Sequence, residues 1–133
     1  MSDARQHIPP GIRERLPARG IYAAGGGLTS AAWRVIVDFD ARTLARSSGP
    51  RNGSTLGAMA DTVVEPLEPS ALAALRDASG QAFSEKAQLP AQPSVDYEEL
   101  LVLADGQSVR LINGFGPIRS PKAAALIALL RKR

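Results

Sequence analysis

The sequence predicts an α+β domain with one antiparallel sheet of about four strands, arranged as two hairpins, and two or three helices packed on one face. Three observations carry this prediction. Two strand-like runs flank a stretch of glycines near residue 25, and two more flank the dipeptide Asp105-Gly106. After each pair of strands the chain carries a segment whose apolar residues recur at helical spacing.

The first hairpin is predicted around the runs "GIYAAGG" and "AAWRVIVDF". We expect Gly25-Gly26-Gly27 to form the loop between them, because glycine adopts positive φ at little cost. The second run alternates as a strand should. One side carries Trp33, Val35 and Val37, and the other carries Arg34, Ile36 and Asp38.

The second hairpin is predicted from Asp105-Gly106, a dipeptide that favours a two-residue type I′ turn. Such a turn pairs Ala104 with Gln107 and fixes which residues share a face. The predicted core face carries Leu100, Val102, Val109 and Leu111. The opposite face, with Tyr97, Glu99, Leu101, Leu103, Ser108 and Arg110, is mixed in polarity.

Two helices follow from apolar periodicity and start signals. The first is predicted over residues 68–83, where Pro69 suits the first turn, and the second over residues 120–133, where Ser120 is a good N-cap before Pro121. The expected buried stripes are Ala71, Leu72, Leu75, Ala78, Ala82 and Phe83 in the first helix, and Ala123, Leu126, Ile127 and Leu130 in the second.

The remaining segments lack such patterns. Residues 43–66 are rich in Gly, Ser and Pro without sustained periodicity, which predicts a long loop. Residues 1–17 combine prolines with arginines and are predicted to form a flexible basic tail. Residues 18–133 then make a single α+β domain, as the chain length favours.

Composition excludes several classes of protein. The chain has 133 residues and no cysteine, so disulfides, thiol nucleophiles and cysteine metal sites are excluded. The opening "MSDARQHIPPGIRERLPARG" lacks the apolar core of a signal peptide. No run approaches the roughly 20 apolar residues of a membrane span. We therefore expect a cytoplasmic protein. The net charge of +3 permits a nucleic-acid partner without requiring one.

No motif for catalysis or cofactor binding is present. The glycines at 25–27 are contiguous, have no lysine after them and lead into a strand, so the phosphate-loop and dinucleotide patterns fail. His7 is the only histidine. Asp38 and Asp40 could share a face if the strand continued that far, but two ligands are too few for a protein cation site. We expect no enzymatic activity, no cofactor and no metal site.

Several pieces follow one another in a characteristic order over roughly residues 20–42 and 67–133: Gly26-Gly27-Leu28, "WRVIVDFD", "LAALRDASGQAF", Asp96-Tyr97, "LLVLADGQSVRLI" and "SPKAAALIALL". This order resembles the emfourin-type proteins, which are small bacterial inhibitors of protealysin and related thermolysin-like metallopeptidases. Two segments depart from the family pattern, because the 43–66 connection and the basic tail are both longer.

The resemblance implies a non-enzymatic, protein-binding domain whose partner is a thermolysin-like metallopeptidase. Such a domain would inhibit by occluding the substrate cleft, and it would contribute no metal. Those clefts accept an apolar side chain next to the cut bond, which Leu28 could supply from its glycine-rich turn. The predicted partner-binding residues are Gly26, Gly27, Leu28, Thr29 and Ser30.

Two alternatives stay open. A nucleic-acid-binding or regulatory module could use the basic termini, although the strands lack the exposed aromatics among basic residues that nucleic-acid recognition by a sheet needs. A homo-oligomeric assembly module could pair through the mixed face with Leu101 and Leu103. Salt-dependent DNA binding would identify the first, and light scattering across concentration the second.

Overall fold

The computed structural model describes residues 16–27, 30–51, 60–84, 98–106, 109–114 and 121–131. These residues form one antiparallel sheet in the order β4-β3-β2-β1-β5-β6, together with two helices. The central strands are therefore β2 and β1, and the outermost are β4 and β6. The elements are β1 (Arg19–Gly27), β2 (Ser30–Asp38), β3 (Thr43–Arg51), β4 (Ala60–Pro66), α1 (Pro69–Phe83), β5 (Glu98–Asp105), β6 (Val109–Gly114) and α2 (Pro121–Arg131).

The α+β class is confirmed. The described part of the chain has six strands where about four were expected, because residues 43–66, predicted as a long loop, contain β3 and β4. β3 and β4 pair as an antiparallel hairpin at one side of the sheet. Their apolar alternation is weak, since Leu44 is followed on the same face by Arg46 and Ser48. Strands near a sheet edge are partly solvated and need fewer apolar residues. Residues 52–59, between them, lie outside the described part of the chain.

The glycines at 25–27 were predicted to form the loop of the first hairpin. This prediction is wrong, because all three belong to strand β1. Gly25 pairs with Trp33 on one side and with Glu99 on the other. Glycine weakens a strand interior. In β1 this weakness is offset because β2 and β5 both hydrogen-bond to the strand.

The two helices cover one side of the sheet, which we call the helix face. Both predicted apolar stripes are buried there, except that Ala78 and Phe83 are only partly buried. Gly80 does not end α1, which continues to Phe83. The strands and turns contribute Ile21, Ala23, Val35, Val37, Phe39, Leu44, Leu67, Leu101 and Leu103 to this core.

The β5–β6 hairpin has its register shifted by two residues from the predicted one, with Ala104 opposite Val109. A shift of two preserves the face on which each side chain lies, since side chains alternate with a period of two. Gly106 does adopt the left-handed region, with φ of 79°. However, the last pair of the ladder is Ala104 with Val109, so four residues of the sequence separate the paired residues, where a type I′ turn has two.

The predicted core residues Leu100 and Val102 of β5 are buried, but the helices cover the other face of the strand. Leu101 and Leu103 are fully buried beneath them, opposite Ala23 and Ile21 of β1. The same finding removes the proposed assembly surface, since a fully buried leucine pair is not available to another copy.

The side of the sheet opposite the helices, which we call the second face, also carries buried apolar residues. Leu16 packs against this cluster, so the predicted flexible tail is wrong at its last residues. Residues 1–15 of that tail lie outside the described part of the chain. The second-face cluster comprises Tyr22, Ala24, Leu100, Val102 and Ala104, with Leu16 and Ile36 partly buried against it.

Candidate functional site

The predicted partner-binding residues lie where the first hairpin changes direction. Gly26 is buried in β1 and pairs with Glu98 of β5. Gly27 pairs with Ser30, which closes the ladder between the two central strands. Leu28 and Thr29 lie outside the described residues. The structure thus brings together the backbones of Gly26, Gly27 and Ser30.

Beside this turn, the indole of Trp33 occupies the space above Gly25 on the helix face. A Cβ built at residue 25 would overlap the indole Nε1 and lie 2.7 Å from Cε2 and 2.8 Å from Cζ2. Real Cβ atoms do not approach other atoms so closely, so only glycine fits beneath this ring. We call the surroundings of this contact the Trp33 end of the sheet.

The C-terminus of α2 is fixed over the same place. The guanidinium carbon of Arg131 lies 5.0 Å from the centroid of the Trp33 ring, within the range of a cation–π interaction. Arg46 of β3 also reaches this terminus, where its Nη2 donates to the carbonyl oxygen of Leu130 at 3.4 Å. Both cations lie near the negative end of the helix dipole. The Trp33 end therefore ties the hairpin to α2.

The opposite end of β2, which we call the Phe39 end, contains an open cavity between α1 and the ends of β1 and β5. We call it the Phe39 cavity, and its volume is about 490 Å³. The guanidinium carbon of Arg76 lies 5.5 Å from the centroid of the Phe39 ring. The residues that line the cavity include Arg19, Phe39, Arg76, Ser79, Gly80, Phe83 and Asp105.

The two aspartates at the turn after β2, Asp38 and Asp40, both make contacts that stabilise the local structure. Asp38 Oδ1 accepts hydrogen bonds from the backbone N–H groups of Asp40 and Ala41, both at 3.0 Å. Asp40 Oδ1 lies 4.0 Å from Arg19 Nη1, and both side chains are exposed. In the described part of the chain, no three His, Cys, Asp or Glu side chains are grouped so that they could hold a metal ion.

The outermost strand β4 presents apolar side chains to solvent. Val63 and Val64 are 60% and 61% exposed, the exposed large apolar residues of the described ranges. Consecutive strand residues point to opposite faces, so one valine lies on each side of the edge. Exposed edge strands are templates for pairing with another chain. Two strands, β3 and β2, lie between this surface and β1.

The second face contains one charged side chain in an apolar setting. Arg34 is only 7% exposed, and its Nε has no hydrogen-bond partner. It lies opposite Ala24 of β1 and Ser47 of β3, both buried. The guanidinium group of Arg34 therefore lies on the same face as the apolar second-face cluster.

Comparison with known proteins gives no family assignment: neither a family model nor a curated protein matches the chain. No helix in the described ranges is long and apolar enough to cross a membrane.

Sequence reasoning located the first hairpin but missed the Phe39 cavity. The cavity assembles residues from α1, from the ends of β1 and β5, and from the turn after β2, which no local pattern connects. One signal was present within α1. Arg76, Ser79, Gly80 and Phe83 have the spacing i, i+3, i+4 and i+7, which defines one helix face. Serine and glycine in the middle of such a face leave room beside the aromatic ring.

Proposed function

We propose that the protein is a non-enzymatic, protein-binding domain that inhibits thermolysin-like metallopeptidases. In this proposal the turn at residues 26–30 enters the substrate cleft of the peptidase and occludes it. The observation that carries the proposal is the Gly27–Ser30 pair, which ends the two central strands of the sheet. The resemblance to emfourin-type inhibitors supports the choice of target.

The Trp33 end supports the proposal because it ties this turn to the body of the domain. Gly25 lies beneath the Trp33 indole, and Arg131 lies above that ring. Association loses less free energy to ordering when the binding segment is already held in place. Only Leu28 and Thr29 separate the paired residues Gly27 and Ser30 in the sequence. A short connection between paired strands has little conformational freedom to lose.

Leu28 is the proposed anchor of the complex. Full burial of a leucine side chain contributes about 1.5–3 kcal/mol, and anchors in the centre of an interface dominate its affinity. Thr29 and Ser30 would add polar contacts at the rim of the cleft.

The test measures the inhibition constant of the full chain against thermolysin with a peptide substrate. We expect Leu28→Asp to weaken inhibition by ~2 kcal/mol or more, which is roughly a thirtyfold rise in the inhibition constant. Val64→Asp is the matched control, because it adds the same carboxylate at an exposed position of the outermost strand. We expect its inhibition constant to equal that of the unmodified chain.

Two results would contradict the proposal. One is the absence of inhibition by the unmodified chain, and the other is an equal loss with both variants. The alternatives are tested with the same preparation. Saturable DNA binding that weakens steeply with salt would favour the nucleic-acid module. A mass that rises with concentration in light scattering would favour assembly through a surface other than that of Leu101 and Leu103.

A further inference from the structure

We propose that the Phe39 cavity binds a small organic acid, that is, a molecule with a carboxylate group and an apolar body. The cavity lies at the end of β2 opposite the hairpin turn that the proposed function uses. The inference is therefore independent of peptidase inhibition. It rests on the size of the cavity, the nature of its walls and the charges at its margin.

The size and walls suit a small molecule. Ligand sites in proteins have volumes of roughly 300–1,000 Å³, and this cavity measures about 490 Å³, with walls of mixed polarity. Phe39 and Phe83 supply aromatic surface, and Ser79 supplies a hydroxyl group. The aromatic surface favours an organic body in the ligand, because a bare inorganic anion would leave it without contacts.

Gly80 shows that the space reaches the backbone of α1. Among the described residues, a Cβ built here meets no atom within 4 Å, in contrast to the overlap at Gly25. Glycine in a helix costs about 1 kcal/mol relative to alanine. Packing in the described structure does not require glycine here, and its absence of a side chain keeps the cavity open.

The charges favour an anionic group on the ligand. Two guanidinium groups, those of Arg19 and Arg76, lie at the cavity with one carboxylate, that of Asp105. Arg19 makes only a long, exposed ion pair of 4.0 Å with Asp40, and such pairs are weak. A guanidinium group binds a carboxylate through two parallel hydrogen bonds. A cationic ligand is disfavoured, because Arg76 already lies over the Phe39 ring.

The experiment titrates the full chain with three ligands that share one body: 3-phenylpropionate, 3-phenylpropanol and 3-phenylpropylamine. Binding is followed by calorimetry and by NMR shifts of the Ser79 and Gly80 amides. We expect the acid to bind about tenfold or more tightly than the alcohol, because hydrogen bonds to charged groups are the stronger ones. We expect the amine to bind no better than the alcohol.

Variants then locate the site. Gly80→Leu should fill the cavity and abolish binding of the acid, and Arg76→Gln should weaken that binding about tenfold. Arg131→Gln is the matched control, because it removes the equivalent arginine from the Trp33 ring and should leave binding unchanged. Leu28→Asp should also leave it unchanged, which separates this proposal from the proposed function.

Thermal melting tests whether each variant is folded. If Gly80→Leu does not fold, the binding affinity of Arg76→Gln for the acid tests the location of the site. A peptide ending in phenylalanine, as the free acid and as the amide, distinguishes a chain terminus from a free organic acid as the source of the carboxylate. The proposal is overturned if no acid binds saturably, if the alcohol or the amine binds as tightly, or if Arg76→Gln and Gly80→Leu bind like the unmodified chain.

Discussion

The Trp33 end and the Phe39 end of strand β2 each have an arginine over an aromatic ring, but the first is closely packed and the second is open. At each end an aromatic ring lies beneath an arginine from a helix, Arg131 over Trp33 at 5.0 Å and Arg76 over Phe39 at 5.5 Å. At the Trp33 end the ring fills the space above Gly25. At the Phe39 end, Gly80 faces empty space and a cavity of about 490 Å³ remains.

The difference shows that an arginine–aromatic contact does not decide whether a site is closed or open. What decides it is whether a neighbouring side chain occupies the space that a glycine leaves. The closed end is suited to holding a turn in place for a partner, and the open end is suited to admitting a ligand. Substitutions at the two glycines should separate these roles most clearly.

The largest expected effect is the contrast between Gly25→Ala and Gly80→Ala. The methyl group at residue 25 overlaps the Trp33 indole in a central strand, so we expect a loss of about 2–3 kcal/mol in the free energy of unfolding. The methyl group at residue 80 meets nothing, so we expect a gain of up to about 1 kcal/mol from helix propensity. Denaturant unfolding of the two variants measures both, and equal effects would contradict the comparison.

The next effect is the coupling between Gly25 and Trp33. If the indole is the reason for the glycine, Trp33→Leu should reduce the penalty of Gly25→Ala. We expect a coupling free energy of about 1–2 kcal/mol in a double-mutant cycle, as for residues in direct contact. The pair Gly80→Ala and Phe39→Leu serves as the control and should be additive within about 0.5 kcal/mol. Additivity in both cycles would show that the overlap at residue 25 is relieved elsewhere.

The smallest effect concerns the two arginines. Arg131→Met and Arg76→Met each keep a long apolar stem but lose the cation above a ring. We expect losses of about 0.5–1 kcal/mol, and the larger loss for Arg131, because tryptophan is the better cation–π partner. Thermal melting at matched salt compares the two variants. A larger loss of stability for Arg76→Met than for Arg131→Met would contradict the expectation that the contact at the Trp33 end is the stronger one.

Sequence reasoning succeeded where one face of an element is buried and the other is solvated. The stripe Ala123, Leu126, Ile127 and Leu130 of α2 has this property and was predicted correctly. It failed for β4, whose Val63 and Val64 are exposed at the sheet edge and form no periodic pattern.

It also failed to choose the correct side of β5, for a different reason. The run from Leu100 to Ala104 is apolar throughout, and every one of its side chains is buried. A strand buried on both faces carries no alternation, so local sequence does not indicate which side the helices cover. The two candidate sites, the hairpin turn and the Phe39 cavity, also differ in how far local sequence defines them. The first hairpin is local and was predicted, although its glycines belong to β1, whereas the Phe39 cavity depends on residues from four parts of the chain.

The pairing of β1 with β5 has a consequence for how the molecule reaches its native state. The ladders from β1 to β4 join strands that are neighbours in sequence, as does the β5–β6 ladder, whereas Ile21 must find Leu103 across more than half of the chain. Closure of so large a loop is entropically unfavourable until distant contacts form, and pairing of this kind slows folding. We therefore expect the β1–β5 ladder to be the last to assemble, and the amides of β5 to acquire hydrogen-exchange protection later than those of β2.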